Sequence, residues 1–191
     1  LYVAIADVAH YVENNSNIDK EARKRGTSVY FPGFVIPMLP EILSNNLCSL
    51  RSGEDKFTVM AEIIIGKDGK IKSYKFYNAL ISSSARLTYT QVDNFLNNKK
   101  SITDKNVIKN INNLFSLYKI LKKSREKRHA VNFDTQEFSF LISKNNEITG
   151  IKNNIRLESQ KLIEECMIAA NVASSLFIKK NKSNSLYRVH D

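Results

Sequence analysis

The chain has no tryptophan, three histidines and two cysteines among its 191 residues. His10, His129 and His190 are scattered, so none is assigned a catalytic role, and no Cys/His cluster has zinc spacing. Cys48 and Cys166 lie far apart in apolar surroundings, which favours two buried thiols in a reducing compartment over a disulfide. No uninterrupted apolar run is long enough to span a bilayer, and no stretch reads as a signal peptide. A cytoplasmic location without a membrane partner is therefore expected. Acidic residues are in deficit: 19 Asp and Glu stand against 29 Lys and Arg, a formal net charge of +10. Such an excess attracts polyanions in a salt-dependent way. Charge alone does not separate nucleic acid from an anionic membrane or from simple solubility.

Proline is scarce too, and all three copies fall in one segment, Arg25 to Pro40. Pro32, Pro37 and Pro40 each fix φ and remove a backbone donor, so this segment reads as a rigid, extended path rather than a helix. It also carries Tyr30, Phe31 and Phe34. Two readings stay open: a connector packing its aromatics on a core, or a loop presenting them to a ligand.

Around it the periodicity is that of an α+β protein. Leu1 to Ala6 is almost continuously apolar, as a strand buried on both faces would be. Asp19 to Arg25 reads as a short polar helix. Phe57 to Ile65 and Ile71 to Ala79 read as strands joined at Gly66-Lys67-Asp68-Gly69, where the Asp-Gly pair favours a tight hairpin turn. Ile81 to Tyr89 reads as a further strand or extended segment, and Gln91 to Asn97 as a short helix.

Asp104 to Lys127 is the clearest helix, with Val107, Ile111, Leu114, Tyr118 and Leu121 on one stripe. Lys105, Lys109, Lys119, Lys122 and Lys123 decorate its remaining surface; a solvated face is the ordinary reading and RNA contact the lesser one. Phe138 to Ile142 and Glu147 to Ile151 read as a second hairpin. A second long helix runs from about Leu157 to Lys180, with Leu162, Cys166, Ala169, Ala173 and Leu176 on its buried side. Ser185 to Asp191 alternates like a strand. The expected fold class is α+β: mixed, largely antiparallel sheets with two long helices. The chain opens and stops inside strands, so a fragment is expected.

Several segments in order carry a specific resemblance: Leu1 to Val12, the proline segment, Glu41 to Leu50, Ala85-Arg86-Leu87-Thr88-Tyr89, and Lys161 to Asn171. Together they resemble the catalytic (RNB) domain of the RNase II/RNase R exoribonucleases, and the resemblance covers nearly the whole chain. Members of that family degrade single-stranded RNA processively from the 3′ end, releasing nucleoside 5′-monophosphates with Mg²⁺. Such hydrolysis needs clustered carboxylates that hold divalent ions, activate a water and stabilise the leaving oxygen.

The resemblance places that aspartate-rich motif just before the strand matching Leu1 to Asp7, and a catalytic arginine beyond Asp191. Residues 1–191 are thus expected to be part of an RNB domain, lacking its N-terminal metal motif and its C-terminal part, and inactive alone. No catalytic residue and no metal ligand is assigned, and Asp7 is taken as a structural strand-end aspartate. What the resemblance implies here is part of an RNA channel. Tyr30 matches a tyrosine that stacks against bases, Phe133 a phenylalanine on the other side of the terminal bases, and Tyr89 a tyrosine near the 3′ end. Glu164 matches a glutamate that contacts terminal sugar hydroxyls, and Glu165 beside it offers the same chemistry. Aromatic faces suit a sequence-tolerant nuclease because every base has a π-face. A carboxylate can accept from a 2′-OH, which DNA lacks.

The chain departs from the pattern at His129 and Ala130, where RNase R-type members commonly have Gly. The leading expectation is a monomeric exoribonuclease fragment whose partner is single-stranded RNA. A non-catalytic RNA-binding derivative of the same domain is the alternative, and a basic interaction module with core aromatics is the third.

Overall fold

The computed structural model describes residues 1–99, 102–128, 137–143 and 147–187. Seven strands and four α-helices follow in the order β1 (Tyr2–Ala6), α1 (Asn17–Arg25), β2 (Val29–Phe31), β3 (Phe34–Ile36), β4 (Asp55–Ile65), β5 (Ile71–Ser82), α2 (Tyr89–Leu96), α3 (Lys105–Lys127), β6 (Glu137–Ile142), β7 (Ile148–Asn154) and α4 (Glu158–Lys180). The strands form one three-stranded antiparallel sheet, β1-β4-β5, and two separate hairpins, β2-β3 and β6-β7. The expected α+β class with two long helices is what is found.

Strand β4 is central, and each of its faces is covered over only half its length. Lys56 and Thr58 are buried on one face, Ala61 and Ile63 on the other. Helix α4 covers the second: Ala170 and Ala173 pack with Ala61 and Ile63, flanked by Val3, Ile65, Ile71, Tyr74 and Phe76. Small residues on α4 let the helix axis come close to the sheet. A second buried cluster, Tyr118, Leu162 and Cys166, joins α3 to α4. Two cores therefore share one helix.

The other face of β4 meets the chain between β3 and β4. A π-helical segment, Ile42–Leu47, buries Leu43 there. Lys56 donates from Nζ to the Asn46 carbonyl at 3.0 Å and pairs with Glu54 at 2.8 Å, so its buried ammonium is satisfied. Asp7 is indeed a strand-end residue: its carboxylate accepts from the His10 N–H at 3.2 Å and caps a short 3-10 turn.

Several expectations need correction. Among the described residues β1 is an edge strand that pairs with β4, and Tyr2 and Ile5 are exposed rather than buried. Its continuous apolar sequence mimics a central strand. Strand β5 ends at Ser82, and Tyr89 opens a helix instead of closing a strand, because Thr88 and Gln91 form a capping box that starts α2 there. The proline segment is a short hairpin: Pro32-Gly33 turns the chain with Gly33 at φ 88°, the positive φ that a type II turn asks of its second central residue. Leu176 is 45% exposed, so the buried stripe of α4 ends at Ala173. Residues 183–187 have no regular structure, and the rest of the strand expected there lies outside the described residues. Cys166 is buried, Cys48 is half-buried, and both are free. Burial pushes both thiols up from their ordinary pKa. No described helix is long and apolar enough to cross a membrane.

Candidate nucleic-acid interface

Three of the four expected contact residues are described. Tyr30 sits in the middle of β2 and is 78% exposed, the posture of a side chain offered outward. Its hairpin is braced by its neighbours. Arg25 donates to the Pro37 carbonyl at 2.9 Å, the Met38 N–H donates to Ser28 Oγ at 2.9 Å, and Phe31 stacks on Phe34 at 4.8 Å. The turn approaches β6, where a Cβ on Gly33 would sit 3.6 Å from Ile142 Cδ1.

Tyr89 is the first residue of α2 and 47% exposed. Thr88 Oγ1 accepts from the Gln91 N–H at 3.2 Å, and Gln91 Oε1 accepts from the Thr88 N–H at 2.9 Å. The Tyr89 carbonyl in turn accepts from the buried Ser159 hydroxyl at 2.9 Å, which latches the start of α2 to the first turn of α4.

Glu164 lies on α4, five residues and about 7.5 Å of helical rise beyond Ser159. Its carboxylate is partly buried between two arginines: Arg125 of α3 donates to Oε1 at 3.3 Å and Arg156 donates to Oε2. Arg125 also pairs with Glu165 at 2.8 Å, and the Glu165 side chain is only 7% exposed. The two adjacent glutamates are therefore distinct. Glu165 is a buried anchor between α3 and α4, whereas Glu164 stands at the edge of the network with 31% of its side chain exposed. A carboxylate has about four lone-pair sites, so Glu164 keeps acceptor capacity for a further donor.

The Tyr89 carbonyl is thus latched to α4, the helix that carries Glu164. Among the described residues no hydrogen bond, ion pair or ring contact joins Tyr30 to either of them; its turn approaches β6 at Ile142. Phe133 lies outside the described residues.

The sequence reading missed Arg125 and Arg156. A signal for Arg125 was present, because it extends the stripe of Tyr118 and Leu121 at helical spacing, where a charged residue implies a partner inside the packed interface. Glu165 extends the α4 stripe from Leu162 in the same way. Nothing local marks Arg156.

Another buried polar contact sits nearby: Tyr118 donates to Glu158 at 2.9 Å, and Lys161 pairs with Glu158 at 2.9 Å. Burial first, and then the Glu158 carboxylate, push the Tyr118 phenol well up from its ordinary pKa. The Lys161 hydrogen bond holds Glu158 below the usual carboxylate range. Among the described residues no group of three or more His, Cys, Asp or Glu is placed to hold a metal ion. Asp7 is engaged in its cap, so the described donor set does not fit a magnesium site.

The whole chain, residues 1–191, matches the RNB domain family. It is 45% identical to Ribonuclease R of Escherichia coli over 193 residues, covering 100% of this chain and 24% of that protein. It is 44% identical to Ribonuclease R of Mycoplasmopsis pulmonis, again over 100% of this chain and 26% of the relative. The chain therefore spans about a quarter of the length of these curated relatives. Among solved structures, Mycoplasma genitalium RNase R in complex with ribose methylated single-stranded RNA superposes with a TM-score of 0.95 at 38% identity, over 100% of this chain and 30% of that one. With the same architecture and a family match from first residue to last, this chain belongs to the RNB domain family.

Proposed function

We propose that residues 1–191 are part of the RNB domain of a 3′–5′ exoribonuclease, and that they supply contacts to the 3′-terminal segment of single-stranded RNA. The observation that carries this is the likeness to Ribonuclease R along the entire chain, 45% in sequence and 0.95 in TM-score. In this reading Tyr30 and Phe133 stack on bases, Tyr89 contacts RNA near its 3′ end, and Glu164 accepts from a ribose hydroxyl. Stacking explains tolerance of base identity, and the hydroxyl contact explains a preference for RNA. Arg125 and Arg156 orient the Glu164 carboxylate while leaving part of it open. Magnesium belongs to the intact enzyme, with its ligands outside residues 1–191, and the protein acts as a cytoplasmic monomer.

The experiment is incubation of the full-length parent protein with 3′-extended labelled RNA and Mg²⁺. The expected result is stepwise shortening from the 3′ end with release of nucleoside monophosphates. Binding without hydrolysis would move the reading to a non-catalytic RNA-binding derivative. Absence of both would overturn it.

A further inference from the structure

The turn joining β4 to β5 is docked on α3. Gly69 is buried with φ at +76°, and a Cβ placed on it would fall 2.4 Å from the Ser124 Cβ and 3.1 Å from the Ile120 carbonyl. Only glycine meets both the conformation and the approach. The docking encloses a cleft of about 310 Å³ lined by Lys67 from the turn and by Lys119, Lys123 and Lys127 from α3.

The three helical lysines recur every fourth residue, so about 6 Å of rise separates each from the next on one face. All are exposed. The cleft's carboxylate, Asp68, is already engaged: it accepts from the Lys70 N–H at 3.2 Å and pairs with Lys72 at 3.3 Å. Among the described residues no carboxylate lies within ion-pair distance of Lys67, Lys119, Lys123 or Lys127, and Glu126 on the same helix turn pairs with none of them. Like charges at i, i+4 spacing oppose the helix that carries them. Lys119 lies over the Phe115 ring at 5.0 Å, yet no described carboxylate offsets the row of like charges, whereas a row of phosphates would neutralise it.

We infer that this lysine cleft is a second RNA site, taking the phosphodiester backbone of the strand outside the Tyr30, Tyr89 and Glu164 contacts. It rests on the RNA reading above. Lysine ammoniums are point charges without a bidentate fork, and no aromatic face lines the cleft, so it positions a strand without reading bases. It distinguishes neither base identity nor RNA from DNA. Its role is to hold the substrate by salt-dependent attraction while the 3′ end is engaged elsewhere.

The test uses the full-length protein carrying Lys119→Ala, Lys123→Ala and Lys127→Ala together, with binding of a long single-stranded RNA and the matching DNA measured from low to high salt. A control variant, Lys20→Ala, Lys105→Ala and Lys109→Ala, removes the same charge from exposed sites elsewhere. The cleft variant is expected to bind both strands about tenfold more weakly at low salt, with the slope of log affinity against log salt reduced in magnitude by about 2. The control is expected to change the slope far less. An unchanged slope in the cleft variant, while the unaltered protein binds and shortens RNA, overturns this inference alone and leaves the cleft to an acidic protein partner. Equal losses in both variants overturn it in favour of net charge. Failure of the unaltered protein to bind RNA overturns the underlying reading instead.

Discussion

Tyr30 and Tyr89 are held in different ways, and the contrast separates what the fold needs from what it displays. Tyr30 is 78% exposed on a three-residue strand whose turn, Ser28–Met38 bond and Arg25 tether leave its ring unpacked. Tyr89 is 47% exposed and sits where the chain changes from loop to helix, fixed by a capping box on one side and by Ser159 on the other. Removing the first ring should leave the structure unaltered. Disturbing the second position should also disturb the junction of α2 with α4, and with it the neighbourhood of Glu164. The proposed RNA surface, a free ring and a helix start that also bears on stability, can be dissected by asking which substitutions move stability and which move only RNA contact.

The largest expected effect lies at the anchor beneath Glu164. Arg125→Ala leaves the Glu165 carboxylate, 7% exposed, without its cation, and should destabilise the protein by about 3 kcal/mol, as breaking a buried pair does. The urea unfolding midpoint measures it. Arg125→Met with Glu165→Leu should recover much of the loss, since an apolar pair of similar volume is tolerated where a lone charge is not. A wild-type midpoint in Arg125→Ala alone would show that the α3–α4 contact does not depend on this network.

Ser159→Ala comes next. It removes one hydrogen bond to the Tyr89 carbonyl and should cost about 1 kcal/mol. Because the latch positions Tyr89, the length of the final RNA product should change as well. Stability loss without any change in product would confine Ser159 to packing and break the coupling claimed for this end of the surface.

A smaller effect is expected from acid. Glu158 has its folded pKa held below the ordinary carboxylate range, first by the Lys161 hydrogen bond. Its contribution is therefore present above the unfolded value and fades as pH falls through the lower, folded one. Stability measured across acidic pH should fall less steeply in Lys161→Met than in the unaltered chain. An identical acid limb in both would remove Glu158 from the account.

Much of the fold was legible because it obeys local rules. The stripes of α3 and α4 and the Asp-Gly hairpin appear in the sequence at nearly their observed places. The failures have physical causes. Apolar residues in β1 read as burial on two faces, yet among the described residues β1 pairs with β4 and Tyr2 and Ile5 are exposed. Tyr89 was placed at the end of a strand or extended segment, although Thr88 with Gln91 is a capping signal that starts α2 there. Of the candidate site, Tyr30, Tyr89 and Glu164 were named by resemblance alone; the structure leaves Tyr30 and Tyr89 exposed and the Glu164 side chain partly so. Arg125 was marked by its place on the α3 stripe but its partner was not, since Glu164 is 39 residues away in sequence and only the crossing of α3 with α4 brings the two together; nothing local marked Arg156.

The most direct measurement takes Tyr30→Ala in the full-length protein and records two quantities together: the unfolding midpoint and the RNA product ladder. An exposed ring on a braced hairpin should change stability by less than about 0.5 kcal/mol. Loss of its stacking, worth about 1–3 kcal/mol per base, should shift the length at which degradation stops. An unshifted ladder with a lowered midpoint would contradict the account, because it would make Tyr30 a packing residue and not a surface offered to RNA.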